Sequence, residues 1–316
     1  MPDARPQTHV LHGSTLFTSH STTIHSPLLF GEILFDELPA GPLPGGGPFN
    51  AAAHLAALGT PAALLTAVGE DARGRELTAL AARLGVDTRL FQRNYLSTGS
   101  VAVSFDADGE PDYDIVAPVA WDLLRWPDGT DPDPDPALLA LPPFVADVDA
   151  VVFWLLGIRS KVSRACLEQV LAQAPPTALR VMDVGLRQNF YDAALLDWAL
   201  SRVRVAKLNA SELAEVSELL GLATGAEVLA KAYRLDTLVV TLGEEGAYSW
   251  REGRKTSVGA APVPHLVDAI GCGDSFLAGY LHARLRGASE EACLRAGAER
   301  GAYTAGRQGG LPPEPT

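Results

Sequence analysis

The chain has little of what marks several large protein classes. It carries only three cysteines, Cys166, Cys272 and Cys293, scattered and without metal-ligand spacing. An odd, sparse set argues against a disulfide framework and fits a reducing cytoplasm. Lys and Arg number 25 against 38 Asp and Glu, a net charge of -13, which argues against nucleic acid or an anionic membrane as a partner. No apolar run approaches the roughly 20 residues that span a bilayer. Met1 to Ser26 has neither a basic n-region nor a long apolar core, so it is not read as a signal peptide. Residues 1–27 are expected to form a loosely ordered extension with solvated histidines. The two commonest phosphate-binding signatures are also missing. No G-x-x-x-x-G-K-S/T occurs, and Gly45-Gly46-Gly47 lacks the spacing of G-x-G-x-x-G. The first absence excludes a P-loop protein; the second weakens a dinucleotide-binding oxidoreductase.

What is present is ordinary for a folded protein with a substantial core. The 316 residues are 47% hydrophobic and 20% charged, enough for one large α/β domain. Pro27 to Asp36 reads as a buried strand ending in an acid, followed by a Pro/Gly loop from Pro39 to Pro48. Asn50 to Leu58 reads as a helix closed by Gly59, Ala62 to Val68 as a strand, and Arg73 to Leu84 as a helix stopped by Gly85. From Ser100 to Val116 two β-like runs, joined through Asp106 to Pro111, predict a hairpin. The alternating Asp and Pro of Pro127 to Pro136 predict an exposed loop whose charge is solvation alone. The βα rhythm resumes with strands near Ala150–Leu156, Arg180–Val184, Val203–Leu208 and Thr237–Thr241. Helices fall at Arg164–Ala172 and Ala210–Leu220.

Such alternation implies a mostly parallel sheet with helices on both faces, and ligands in such sheets lie at the carboxyl ends of the strands. Asp36, Asp183, Asn209, Gly243 and Gly271 all fall at or just past predicted strand ends.

The chemistry concentrates at Asp268-Ala269-Ile270-Gly271-Cys272-Gly273-Asp274-Ser275-Phe276, where a strand-like stretch turns into an apolar helix. Gly271 and Gly273 let backbone N–H groups at a helix N-terminus point at a phosphate, and Asp274 is placed to accept a proton from a hydroxyl. Together they point to phosphoryl transfer onto an alcohol. A plain glycine-rich helix start with Asp as its cap is the alternative for this segment taken alone.

A second signature, Gly45-Gly46-Gly47-Pro48-Phe49-Asn50-Ala51-Ala52, precedes the first in order. Gly31-Glu32 with Asp36, Lys207-Leu208-Asn209-Ala210-Ser211-Glu212 and Thr241-Leu242-Gly243-Glu244-Glu245-Gly246 accompany them. In this set the chain resembles the ribokinase-like sugar kinases of the pfkB family, from about Leu28 to Pro312, and most resembles bacterial fructokinase-type members. The resemblance implies a ribokinase-like α/β domain over 28–312 with a small β lid at about 99–117. Asp274 then corresponds to the base, and Gly271, Cys272 and Gly273 to the anion hole. Asp36, Gly45, Gly46 and Asn50 correspond to the sugar site, with Arg187 a clamp on sugar or phosphate. Asn209 and Glu212 correspond to the pair that places Mg2+, through water, on the triphosphate of ATP, and Thr241, Gly243 and Gly246 lie along the nucleotide. The implied partners are a small-molecule sugar and ATP. Lid pairing between subunits would make a homodimer, and a monovalent cation such as K+ is a further candidate cofactor.

The chain departs from that pattern at Gly185, where the family has Asn, at Ala269, where it has Thr, and at Trp154-Leu155-Leu156, where fructokinase-type members have a Gly-Ser-Leu run. Cys272 replaces a common Ala; a thiol at a helix N-terminus can have a lowered pKa, but Cys272 is read here as a small tolerated side chain. The first reading is therefore phosphorylation of a primary hydroxyl of a ketohexose such as fructose. Ribose, a nucleoside or 2-keto-3-deoxygluconate are alternative substrates, and a catalytically weak sugar or nucleotide sensor is the alternative from another class.

Overall fold

The computed structural model describes residues 26–38, 41–105 and 111–315. Most of the expected N-terminal extension, residues 1–25, and the turn of the expected hairpin, residues 106–110, lie outside the described residues. Among the described residues, nine strands form one sheet. In chain order these are β1 (Leu28–Phe30), β4 (Ala63–Gly69), β5 (Phe91–Asn94), β8 (Ala150–Trp154), β9 (Leu179–Asp183), β10 (Val205–Asn209), β11 (Thr237–Thr241), β12 (Ala247–Arg251) and β13 (Arg254–Val258). Across the sheet the order is β13-β12-β11-β10-β9-β8-β1-β4-β5. Pairing is parallel from β5 to β11 and antiparallel for the last two strands.

Helices α1 (Gly47–Ala57), α2 (Ala72–Arg83), α3 (Pro136–Val145), α4 (Lys161–Gln173), α5 (Ala193–Leu200), α6 (Ala210–Leu219), α7 (Ala226–Tyr233), α8 (Cys272–Leu285) and α9 (Glu290–Ala305) supply the connections. Side chains alternate across each buried strand, so one run feeds two cores. Leu28, Phe30, Val151 and Phe153 enter the core on one face. Leu29, Ala150, Val152 and Trp154 enter the other, which also holds Phe49 of α1 and Phe276 and Leu277 of α8. The chain leaves β1 toward β4 and β5, then returns to β8 on its other side. The carboxyl ends of β1 and β8 therefore flank the point where strand order reverses, the place where open α/β sheets bind ligands.

The first predicted strand is in fact two. Gly31, at φ 141°, packs so closely that a Cβ would lie 2.8 Å from Pro48 and 3.4 Å from the Gly157 backbone, and there the chain leaves the large sheet. It continues as β2 (Leu34–Leu38) and β3 (Gly41–Gly45), which join β6 (Gly99–Phe105) and β7 (Pro111–Ile115) in a second sheet of order β3-β2-β6-β7. Asp36 thus lies mid-strand, paired with Leu43 and Val101, and not at a strand end. The expected hairpin supplies only half of this sheet. Half of the expected Pro/Gly loop is its edge strand β3, where Pro42 and Pro44 are tolerated because an edge leaves one side without ladder bonds.

Two further expectations are corrected. Asp268–Ile270 is not a strand, because β13 lies at the far edge of the sheet. The chain must cross irregularly over the strand ends, through Pro262 and Pro264, to reach α8. The Pro127–Pro136 loop is largely exposed, but Asp135 is more than solvated. Its Oδ1 accepts the Ala137 N–H as the cap of α3, and its Oδ2 accepts the Arg93 N–H.

Candidate active site

The turn before α8 is shaped by backbone. Gly271 is the N-cap in the left-handed region, φ 71°, and no side chain caps the helix. A Cβ there would lie 2.4 Å from Gly310 Cα. The first intrahelical bond runs from Ser275 N–H to Gly271 O, so helix geometry leaves the N–H groups of Gly273 and Asp274 without an intrahelical acceptor. Asp274 is not the cap. Its Oδ2 accepts a 3.0 Å hydrogen bond from Asn50 Nδ2, across the cleft from α1.

Beneath the turn lies Lys207, whose Nζ would be 2.9 Å from a Cβ on Gly273 and donates to Asp183 Oδ2 at 2.8 Å. Burial works to lower the ammonium, but Asp183, with Asp274 and Glu212 behind it, holds it above the usual lysine range. A fixed positive charge therefore underlies the N–H groups where a transferring phosphoryl group would gather negative charge.

On the opposite wall, three consecutive glycines each make room for a functional neighbour. A Cβ on Gly45 would lie 2.8 Å from Asp36 Oδ2, and one on Gly46 2.7 Å from the Glu32 carbonyl. One on Gly47 would lie 2.7 Å from Trp154 Nε1 and 3.1 Å from Asp274 Oδ1. Asn50 follows in the first turn of α1, buried, with Oδ1 unpartnered; the cap of α1 is Gly46, not Asn50. Glu32 is buried at the end of β1. Its Oε1 accepts the Gly47 N–H at 3.2 Å and its Oε2 has no partner. Burial, reinforced by Asp274 and opposed by Arg187, pushes the Glu32 carboxyl up to about 7. Burial likewise raises Asp36 to about 6, with Arg187 opposing and Asp274 adding. Arg187 is exposed after β9 and stands within electrostatic reach of both acids.

The other end of the crevice is built from caps and turns. Asn209 Oδ1 accepts the Glu212 N–H at 2.9 Å and Glu212 Oε2 accepts the Asn209 N–H at 2.8 Å, a capping box on α6. Glu212 Oε1 also accepts the Leu186 N–H at 3.0 Å. Thr241 pairs with Asn209 across β10 and β11. Gly243 and Gly246, at φ 60° and 98°, bracket the turn that follows. Only glycine fits at 246, where a Cβ would be 2.2 Å from Val258 O. The chain covering Gly246 continues into one wall of a cavity of about 470 Å³ lined by Pro262, Pro264, His265, Tyr303 and Arg307. Among the described residues, no group of three or more His, Cys, Asp or Glu side chains is gathered as for a metal ion.

A base candidate, an N–H turn over a buried ammonium and an acid-lined crevice suit phosphoryl transfer to an alcohol. Known proteins agree: residues 42–316 match the profile of the pfkB family carbohydrate kinases. The chain belongs to that family.

A fructokinase of Klebsiella pneumoniae is 28% identical to this kinase over 248 residues, 75% of each chain. A ribokinase of Arabidopsis thaliana is 26% identical over 289 residues, 86% of this chain and 69% of the relative. Among solved structures, fructokinase with bound ATP from Xylella fastidiosa matches with a TM-score of 0.76 at 23% identity, over 92% of this chain and 96% of that one. Fructokinase from Vibrio cholerae O395, bound to fructose, ADP and calcium, gives 0.75 at 20% identity with the same coverage. The fold is that of the ribokinase-like kinases.

Three features of the kinase's site go beyond the roles assigned from sequence. Glu32 and Trp154 face the crevice at the switch point, and Lys207 with Asp183 forms its buried floor. Lys207 in Val205–Asn209 and Asp183 in Leu179–Asp183 are opposite charges beside apolar residues on neighbouring central strands, a signal that marks a buried pair. His54 forms a further layer. Its Nδ1 accepts from Arg300 Nε at 2.8 Å, so Nε2 carries the proton and donates to Gly310 O at 3.0 Å. Burial, with Arg300 adding, lowers this imidazole to about 4. Asp268 accepts the N–H groups of Ile270 and Gly309, which ties the C-terminal segment to the turn. At Cys272 burial, with Asp268 and Asp274 adding, pushes the thiol up to about 11, against any lowering by the helix N-terminus.

Proposed function

We propose that the kinase transfers the γ-phosphoryl group of ATP to a primary hydroxyl of a neutral sugar, a ketohexose such as fructose being the first candidate. The observation that carries this reading is Asp274. Its carboxylate caps no helix, is held by Asn50, and lies in the first turn of α8 beside free N–H groups. In the proposed step a sugar hydroxyl gives its proton to Asp274 as its oxygen bonds to the γ-phosphorus. The bond from that phosphorus to the β-bridging oxygen breaks, and ADP leaves with the electron pair. Charge on the transferring group falls on the N–H groups of Gly273 and Asp274 and on Lys207. Asn209 and Glu212 are the residues that would hold hydrated magnesium, which when bound neutralises charge on the β- and γ-phosphates. The Glu212 oxygens each accept one backbone N–H and keep lone pairs for water, which suits a cation that retains its hydration shell. The strip from Thr241 to Gly246 and the cavity beside Tyr303 suit the nucleoside end of ATP. The second sheet acts as a lid over the sugar, with residues 28–312 forming the kinase domain.

The neutral class follows from charge. Asp274 acts on both Glu32 and Asp36 across the sugar side, with Arg187 as the facing cation. That field disfavours 2-keto-3-deoxygluconate, an acid, relative to fructose, ribose or a nucleoside. The fructokinase relative supports fructose first. Incubation with Mg-ATP and D-fructose, D-ribose, inosine or 2-keto-3-deoxygluconate, with ADP release coupled to absorbance, is the test. Sugar-dependent ADP formation lost in Asp274→Ala supports the reading. Equal ADP release by both proteins with every compound sinks it.

A further inference from the structure

Trp154 ends β8 at the switch point, and its indole is placed where two other residues lack side chains. A Cβ on Gly47 would lie 2.9 Å from its Cδ1, and one on Gly185 would lie 3.3 Å from the same atom. The ring therefore occupies space that side chains at 47 and 185 would fill. It is 3% exposed, yet its Nε1–H has no acceptor. A buried indole N–H usually finds one, and leaving it unpaired is destabilising. Nε1 and Asp274 Oδ1 flank one small space, 2.7 and 3.1 Å from the same point beside Gly47. Asn50, which donates to the other oxygen of Asp274, also has its Oδ1 buried and unpartnered. One orphan donor and one orphan acceptor thus border the carboxylate that faces the reacting hydroxyl.

Resting on the kinase reading above, we infer that the Trp154 indole N–H is a specificity-determining donor. It holds an oxygen of a neutral polyol next to the hydroxyl that Asp274 deprotonates, while Asn50 Oδ1 accepts from a neighbouring hydroxyl. The ring sets the depth of the sugar pocket. The ligand class is a carbon chain with adjacent hydroxyls, one accepting from nitrogen and another donating to an amide oxygen. A sugar deoxygenated at the first of these positions loses the bond to Trp154 alone.

Trp154→Phe keeps most of the ring and removes the N–H. With D-fructose the variant should lose about tenfold in kcat/KM, while KM for ATP stays within twofold and the melting temperature changes little. The deciding readout is a set of monodeoxy-fructoses. Wild type should discriminate against one of them about tenfold more than the variant does, because the variant has already lost that bond. A uniform fall across fructose and all its deoxy forms, or no fall, overturns the inference. Protein with [15N]-indole tryptophan separates this from failure of the kinase reading. There are five tryptophans, and Trp154→Phe assigns the resonance. If no sugar in the panel is phosphorylated, a Trp154 indole proton that shifts on adding D-fructose, D-ribose or inosine keeps the inference and rejects the kinase reading. An indole proton unmoved by all three rejects both.

Discussion

The two ends of the crevice satisfy their polar groups differently. On the side proposed for the nucleotide, Asn209 and Glu212 spend their oxygens on each other's backbone, and Gly243, Gly246 and the α8 turn present main chain. On the side proposed for the sugar, Glu32 Oε2, Asn50 Oδ1 and Trp154 Nε1 are all buried without partners. Backbone and caps hold their geometry with or without a ligand. Orphaned side-chain atoms in a buried wall are satisfied only when matching oxygens arrive, so this end carries the specificity.

Four changes would break or sharpen that contrast. The largest effect is expected for Asp274→Asn, which keeps the shape and the Asn50 contact region but removes the base. The kcat should fall about 10³-fold, with ATP binding by calorimetry nearly unchanged. Next is Glu32→Gln. Burial pushes the Glu32 carboxyl up to about 7 in the folded state, against 4.5 as its ordinary value. The folded protein therefore binds the extra proton between these pH values, and the contribution of Glu32 to stability is greatest below pH 4.5 and is lost as pH rises through 7. Gln stays neutral, so the variant should gain about 3 kcal/mol relative to wild type between pH 4.5 and 8 by urea unfolding. A pH-independent difference would show that Glu32 is solvated. Gly47→Ala should lower kcat/KM for the sugar about 100-fold, because its Cβ enters the space between Trp154 and Asp274. KM for ATP should hold, and a matching rise would erase the division between the two ends. The smallest is Asn209→Ala, about 1 kcal/mol of stability through the lost cap, with its kinetic effect confined to ATP and magnesium.

Legibility in the sequence followed the same division. Parallel strands such as Ala63–Gly69 and Ala150–Trp154 were visible because strands buried on both faces are continuous apolar runs. The glycine turns and Asp274 were visible because their residue types are few. The break at Gly31 was hidden, since apolar residues continue on both sides of it and only the neighbouring Gly157 and Pro48 show why the chain turns. Strand β3 was hidden by Pro42 and Pro44, and α3 by Pro142 and Pro143 inside it. Trp154 read only as a departure from a Gly-Ser-Leu run. That its nitrogen and Asp274 border the same space depends on Gly47 and Gly185, residues distant in sequence that only the fold brings together.

The tie between His54 and Gly310 has a consequence for how the protein is made. Gly310 lies under both Asn50 and Gly271, so the wall that supports Asp274 includes a residue synthesised some 260 positions after the helix it braces. A nascent chain emerging from the ribosome can build much of both cores and still lack the support for Asp274. That support is complete only once residue 310 has joined Asn50, His54 and Gly271.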